Sequence, residues 1–330
     1  MKRVTVYDIA EALDLSPSTV SRSLNGSSLI SPETRERVMA TAEGLGYRKR
    51  AVRRQRSRAI LNIKLILPGF SERYRSLFYD PAELVRGIRE GAEQVRFNLL
   101  LDLNDDDLAF FDHKKGGDLD GVICAFSRPP SAILETLAER EVPVLTLHRQ
   151  VANGDYLDGD NRRGMFDLVQ RLSERFGASL KPAFLGFGLA DEVSTARRQA
   201  VAAACQERGI DLAEENCLRV DGIDEVTPQV MEALVGRGVN ALLAYNDLIG
   251  AAALQAALAA GVSVPDQLAL TGFDNSPVRS LLPQPLDTIN LPVYEFGVAA
   301  GQWIVARVIE RSEEPLQKTI AGEYLAGATI

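Results

Sequence analysis

The sequence predicts two architectures in one chain. An all-α helix-turn-helix head is followed by an α/β body of two doubly wound parallel-sheet subdomains. Three observations carry this. Residues 4–26, VTVYDIAEALDLSPSTVSRSLNG, repeat apolar residues at helical spacing on either side of a short break. From Ile60 onward, short continuous apolar runs alternate with amphipathic stretches, the pattern of parallel strands covered by helices. Charge is also divided: residues 1–58 hold 12 Lys/Arg against 6 Asp/Glu, a net of +6, and the remainder nets −14. A basic head on an acidic body is the footprint of a small nucleic-acid-binding module attached to a larger domain.

In the head, Val6, Ile9, Ala10 and Leu13 make one apolar helical face, and Asp8 sits in the favourable first turn. Ser16 is placed to cap a second helix with Pro17 at its first position, where a missing N–H costs little. Val20 and Leu24 face inward, and Asn25-Gly26 ends the helix. Two short helices joined by a tight turn form a helix-turn-helix. Ser18, Thr19, Ser21 and Arg22 are left on polar faces, able to reach base edges or phosphates in a major groove, and Pro17 offers a small apolar contact for a thymine methyl. Ser31-Pro32-Glu33 opens a third helix, with Val38, Ala42 and Leu45 as its apolar face.

These strings resemble the lactose-repressor/galactose-repressor (LacI/GalR) family of bacterial transcription regulators. The likeness lies in Thr5-Val6-Tyr7-Asp8-Ile9-Ala10, in Ser16-Pro17-Ser18-Thr19-Val20-Ser21-Arg22 and in Leu24-Asn25-Gly26. It continues through residues 31–38 and Leu45-Gly46-Tyr47. The resemblance implies DNA contacts by Thr5, Tyr7, Ser16, Pro17, Ser18, Thr19, Ser21, Arg22 and Asn25. Residues 48–58, RKRAVRRQRSR, read by themselves as a solvated basic linker. The resemblance implies instead a hinge that orders on DNA and enters the minor groove, with Arg50, Arg53, Arg54 and Arg56 in contact. The family usually has Pro-Asn at Lys49-Arg50, and a leucine wedge at Arg56. An arginine reads a narrow minor groove but wedges poorly.

In the body, strands are expected over 62–70, 97–103, 120–126, 142–147, 182–188, 217–222, 240–247 and 267–274. Helices are expected over 82–95, 133–140, 161–176, 194–208, 226–237 and 249–260. The strand–helix set occurs about twice, before and after roughly residue 160. Resemblance makes this the type I periplasmic-binding-protein fold, crossed three times by the chain. The expected boundaries are 1–47 for the head, 48–59 for the linker and 60–330 for an effector-binding domain. Its first half spans about 60–160 and 291–319, its second about 161–290 and 320–330.

Open α/β sheets bind ligands beyond the carboxyl ends of their strands. There stand Asn246, Asp274 and, just after the strand ending near Gly188, Arg197. An arginine fork, a carboxylate and an amide suit a polyhydroxy ligand; helix capping and surface ion pairing are the alternative. The three positions resemble the family's effector-binding arginine, asparagine and aspartate. Phe78 and Tyr79 offer an aromatic surface for a sugar ring, or core packing. The family often has an aromatic pair where Asp80-Pro81 stands, and some members have a pocket aromatic near Ile223.

Other chemistries find no support. Residues 102–106 begin like a calcium loop, but Asp107 stands where glycine is required and His113 where glutamate is. His113 and His148 have no partner at metal spacing, and no G-x-S-x-G or P-loop string exists. Gly186-Phe187-Gly188 lacks the third glycine of a dinucleotide site, and Asn25-Gly26-Ser27 fits a helix end better than a glycosylation site. Three scattered cysteines and the absence of a signal peptide point to the cytoplasm, and no apolar run spans a bilayer. No enzyme and no cofactor are expected.

The expectation is a cytoplasmic, effector-responsive repressor of carbohydrate-utilisation genes, with operator DNA, a small sugar-like ligand and a second copy of itself as partners. No leucine heptads close the sequence, so a dimer rather than a tetramer is expected. Three alternatives stand beside it: a purine- or nucleoside-responsive corepressor system, an effector-independent architectural DNA binder, and a solute-binding protein for transport.

Overall fold

The computed structural model describes residues 6–24, 30–45, 47, 60–68, 80–102, 119–188 and 191–330. The chain divides into two compact units, residues 1–59 and 60–330.

The first unit has three helices, α1 (Val6–Leu13), α2 (Pro17–Leu24) and α3 (Pro32–Gly44). Ile9, Val20 and Val38, one from each, are fully buried and meet with Ala10 and Ala42 in one small core. Asp14, at φ 50°, turns the chain between α1 and α2 in the left-handed region that a short polar side chain tolerates. Both expected caps form: Ser16 Oγ accepts the Thr19 N–H at 3.1 Å, and Ser31 Oγ accepts that of Thr34 at 3.2 Å. Leu45 departs from expectation. The helix stops at Gly44, so Leu45 turns outward to 42% exposure, and half-buried Tyr47 packs on the core instead.

The second unit runs β1 (Leu61–Ile66), α4 (Pro81–Gly91), β2 (Phe97–Asp102), β3 (Gly121–Ala125), α5 (Ser131–Glu139), β4 (Val144–Leu147) and β5 (Asp155–Gly159). Then come α6 (Asn161–Phe176), β6 (Pro182–Phe187), α7 (Asp191–Glu207), β7 (Cys217–Val220), α8 (Pro228–Gly236), β8 (Ala241–Ala244), α9 (Asp247–Ala259) and β9 (Ala269–Thr271). The last elements are β10 (Thr288–Asn290), α10 (Val293–Trp303), a π-helical turn over Ile304–Ile309, β11 (Gln317–Ile320) and β12 (Glu323–Leu325).

One sheet has the order β11-β5-β4-β3-β1-β2 and another β7-β6-β8-β9, and every pair in both is parallel. β10 and β12 form an antiparallel ribbon. β3 and β8 are buried at every residue, as strands with helices on both faces must be. β2 corrects the expectation of a buried strand. It lies at a sheet edge, and Leu100 and Leu101 are 40% and 59% exposed.

After β10 the chain returns to the first sheet. α10 packs on α4 with backbones nearly touching: a Cβ on Gly87 would lie 2.9 Å from Gly297 Cα and from Val298 N. Only glycine allows that approach. β5, which no apolar run announced, is held from the same direction. Buried Asp155 accepts hydrogen bonds from Trp303 Nε1 at 2.6 Å, Arg307 Nη2 at 2.6 Å and the Leu316 N–H at 2.9 Å.

Candidate functional site

The carboxyl ends of β6, β8 and β9 converge on one side chain. Arg197, on α7, is fully buried. Its Nε donates to Asn161 Oδ1 at 2.8 Å, Nη1 to the Tyr245 carbonyl at 2.7 Å and Nη2 to Asp274 Oδ1 at 2.6 Å. The guanidinium lies 3.8 Å from the Phe273 ring centroid and 5.0 Å from that of Tyr245. A planar fork on an aromatic face, with one acceptor on each of its three nitrogens, is an orientation lysine could not reproduce.

Asn246 is the N-cap of α9. Its Oδ1 accepts the Ile249 N–H at 3.1 Å, and its buried Nδ2 has no hydrogen-bond partner. Capping therefore uses one end of the amide and leaves the other spare. Asp274, at φ 90°, follows β9 and is tied to the return crossing, its N–H donating to the Ile289 carbonyl at 2.8 Å.

The other bank comes from the first sheet. Phe126 and His148 follow β3 and β4 at φ 62° and 57°. Such backbone is costly for large side chains and gathers where a site is over-determined by its surroundings. His148 Nδ1 accepts the Gly159 N–H at 3.3 Å, and the ring is held neutral: burial, then Arg149 and Arg197, push its pKa well below the usual value. Two ion pairs join the banks through Glu192 on α7, to Arg128 at 2.8 Å and Arg149 at 4.0 Å.

The chain matches two family profiles: "Bacterial regulatory proteins, lacI family" over residues 5–49, and "Periplasmic binding protein-like domain" over residues 181–329. The first covers the helices α1 to α3, the second the strands and helices that carry Arg197, Asn246 and Asp274. The chain is similar to lacI-family regulators along most of its length. Its lacI-family relatives include catabolite control protein A of Priestia megaterium, 28% identical over 90% of each chain. Another is the regulator CelR of Thermobifida fusca, 28% identical over 96% of this chain and 95% of that one. Among solved structures, a CelR–cellobiose complex superposes with a TM-score of 0.69 at 24% identity, over 99% and 100% of the two chains. A lac repressor dimer bound to operator and the anti-inducer ONPF gives 0.64 at 20%, over 99% of each.

The positions expected to act lie in different parts of the chain. Arg197 and Asp274 are in direct contact, and Asn246 follows the tyrosine whose carbonyl Arg197 holds. Ser16 and Pro17 are exposed at the start of α2, and Thr19 is half-buried. Tyr7 lies in α1, and Ser18, Ser21 and Arg22 lie in α2. Thr5, Asn25, Phe78, Tyr79 and the hinge residues Arg50, Arg53, Arg54 and Arg56 lie outside the described residues. Sequence reasoning missed Asn161, Tyr245, Phe273 and Arg149. Tyr245, Phe273 and Arg149 follow or adjoin the ends of β8, β9 and β4, which was the signal available; Asn161 follows β5, which no apolar run announced.

Among the described residues, no helix is long and apolar enough to cross a membrane, and no cluster of His, Cys, Asp and Glu forms a metal site.

Proposed function

We propose that this protein is an effector-responsive repressor. The head reads a pseudo-palindromic operator as a dimer, and the body binds a small polyhydroxy ligand beside Arg197. The observation that carries the reading is Arg197 itself. It is a buried cation that ties together α6, the end of β8 and the crossing after β9, in a chain that also bears a helix-turn-helix. A ligand that takes over any of its hydrogen bonds acts on the connection between the two halves. Binding energy is then available to shift their orientation and the spacing of the two heads. The division of the body at the three crossings, and the contacts assigned to the head and hinge residues, are part of this proposal. The cellobiose bound by CelR supports a carbohydrate as ligand class.

The test is fluorescence anisotropy of a labelled operator selected from random DNA, titrated with protein in the presence of sugars, sugar alcohols and nucleobases. Operator affinity should change with a carbohydrate. A response to nucleobases alone favours the purine-type alternative, and no response favours an architectural DNA binder.

A further inference from the structure

The bank opposite Arg197 has hydrogen-bond donors to spare. Arg149 follows β4, and its side chain is 12% exposed. It makes one hydrogen bond, from Nη1 to the His148 carbonyl at 2.6 Å, and its nearest carboxylate oxygen, on Glu192, is 4.0 Å away. Every carboxylate around it already has a donor. Asp274 holds Arg197, Glu192 accepts from Arg128 at 2.8 Å, and Asp158 accepts from Gln150 Nε2 at 2.9 Å and from the Gly159 N–H at 2.8 Å. Burial and the nearby Arg197 disfavour charge on Arg149, with Tyr245 and Glu192 acting the other way.

Two further polar atoms in this region are buried without partners. Ser127 Oγ follows β3, whose end pairs with that of β4, and Asn246 Nδ2 follows β8. A buried polar donor without an acceptor is costly. Two of the groups here, the Ser127 hydroxyl and the Asn246 amide N–H₂, are unpartnered, and the Arg149 guanidinium has N–H donors beyond the one that its single hydrogen bond uses. An acceptor-rich anion would satisfy all three, and arginine matches carboxylate and phosphate in a planar, bidentate fashion.

We infer that Arg149, with Ser127 and Asn246, forms an anion subsite of the effector cleft, and that the effector is a polyhydroxy compound bearing a carboxylate or a phosphate. This rests on the cleft being the effector site. It goes further in fixing the charge of the ligand: Arg197 and Asp274 hold the hydroxyl-bearing part, and Arg149 the acid group.

The test is calorimetry on the full chain with matched sets of probes: D-glucose, D-galactose and D-xylose, each against its sugar acid and its sugar phosphate. At least one acid or phosphate should bind about tenfold or more tightly than its neutral parent, the difference expected of hydrogen bonds to a charged group. The acid and phosphate arms tell the two sources of charge apart. Arg149→Gln should remove the margin, and Arg149→Lys, which keeps the charge, should retain most of it. Circular dichroism checks that both variants fold. Equal affinities within each set, or a margin that survives Arg149→Gln, overturn the anion subsite and leave the Arg197 cleft standing. If no probe of either class binds the unaltered protein, the cleft itself is misassigned and the subsite falls with it.

Discussion

Arg197 and Asp274, 77 residues apart in sequence, meet in an ion pair of 2.6 Å that is 1% exposed on the arginine side and 10% on the aspartate side. The pair joins α7 to the residue that leads into the return crossing. In the function proposed above, this pair is where ligand binding and the position of the first half meet.

Arg197→Lys and Asp274→Asn should each lower effector affinity at least tenfold, about 1.4 kcal/mol, and leave operator binding without effector nearly unchanged. Arg197→Ala should also destabilise the body by about 3–5 kcal/mol, because it strands a buried carboxylate. Calorimetry and urea unfolding measure the two effects separately. Unaltered effector affinity in both conservative variants would remove the ligand role.

Arg22→Ala should weaken binding to the cognate operator by roughly 1–3 kcal/mol and relax specificity. In the unaltered protein, operator affinity should fall steeply with salt, by about 0.9 log unit per log unit for each phosphate contacted. Gel-shift titrations across a salt series give both quantities, and a slope near zero speaks against the DNA-binding head.

Arg56→Leu separates two hinge mechanisms. If Arg56 is a minor-groove cation, the change costs affinity, most at A·T-rich operator centres, and reduces the salt slope by about one unit. If the segment follows the family's apolar wedge, affinity and bending rise at a central pyrimidine–purine step. The first outcome is expected, because Arg50, Arg53, Arg54, Arg56 and Arg58 form a cationic set. Circular-permutation bending assays decide between them, and no change in bend, affinity or slope means that the segment is only a linker.

Asp247 makes stability depend on pH. Burial raises its pKa from 3.8 to about 7, against hydrogen bonds from Thr288 Oγ1 and the Ser276 N–H, both 2.7 Å, and with Asp274 adding to the rise. The folded state therefore holds a proton that the unfolded chain has released between pH 3.8 and about 7. Stability contributed by this group falls as pH rises through that window, at up to about 1.4 kcal/mol per unit. Asp247→Asn should flatten that part of a urea-unfolding profile; an unchanged slope would assign the dependence elsewhere.

Gly87→Ala should destabilise the body by about 1–3 kcal/mol or more, because the new methyl meets backbone atoms of α10 rather than a movable side chain. Gly44→Ala, where a Cβ meets nothing within 4 Å, is the control, and chemical denaturation compares them.

Much of this architecture could be read from local pattern. α6 runs from Asn161 to Phe176 as its apolar spacing and Asp160 cap require, and Ser16 and Ser31 cap the helices expected of them. The misses share a cause. β5 reads DYLDG, and its aspartate becomes an interior residue only because Trp303 and Arg307 arrive about 150 residues later. Leu100 and Leu101 look like core residues, yet nothing in their own segment says that β2 ends the sheet. In the site, Arg197 and Asp274 were legible from where strands end. The Phe273 and Tyr245 faces that hold the guanidinium, and the spare donors of Arg149, depend on contacts between distant segments that no local pattern encodes.

Trp303 is the chain's only tryptophan. It is buried on α10, against α4 and beside the first sheet, with its indole N–H on Asp155. Emission excited at the red edge of protein absorption therefore comes from one ring in one half of the body. The protein carries a built-in optical label: its quenching and anisotropy follow the first half alone, without competing signal from the head or from the half that holds Arg197.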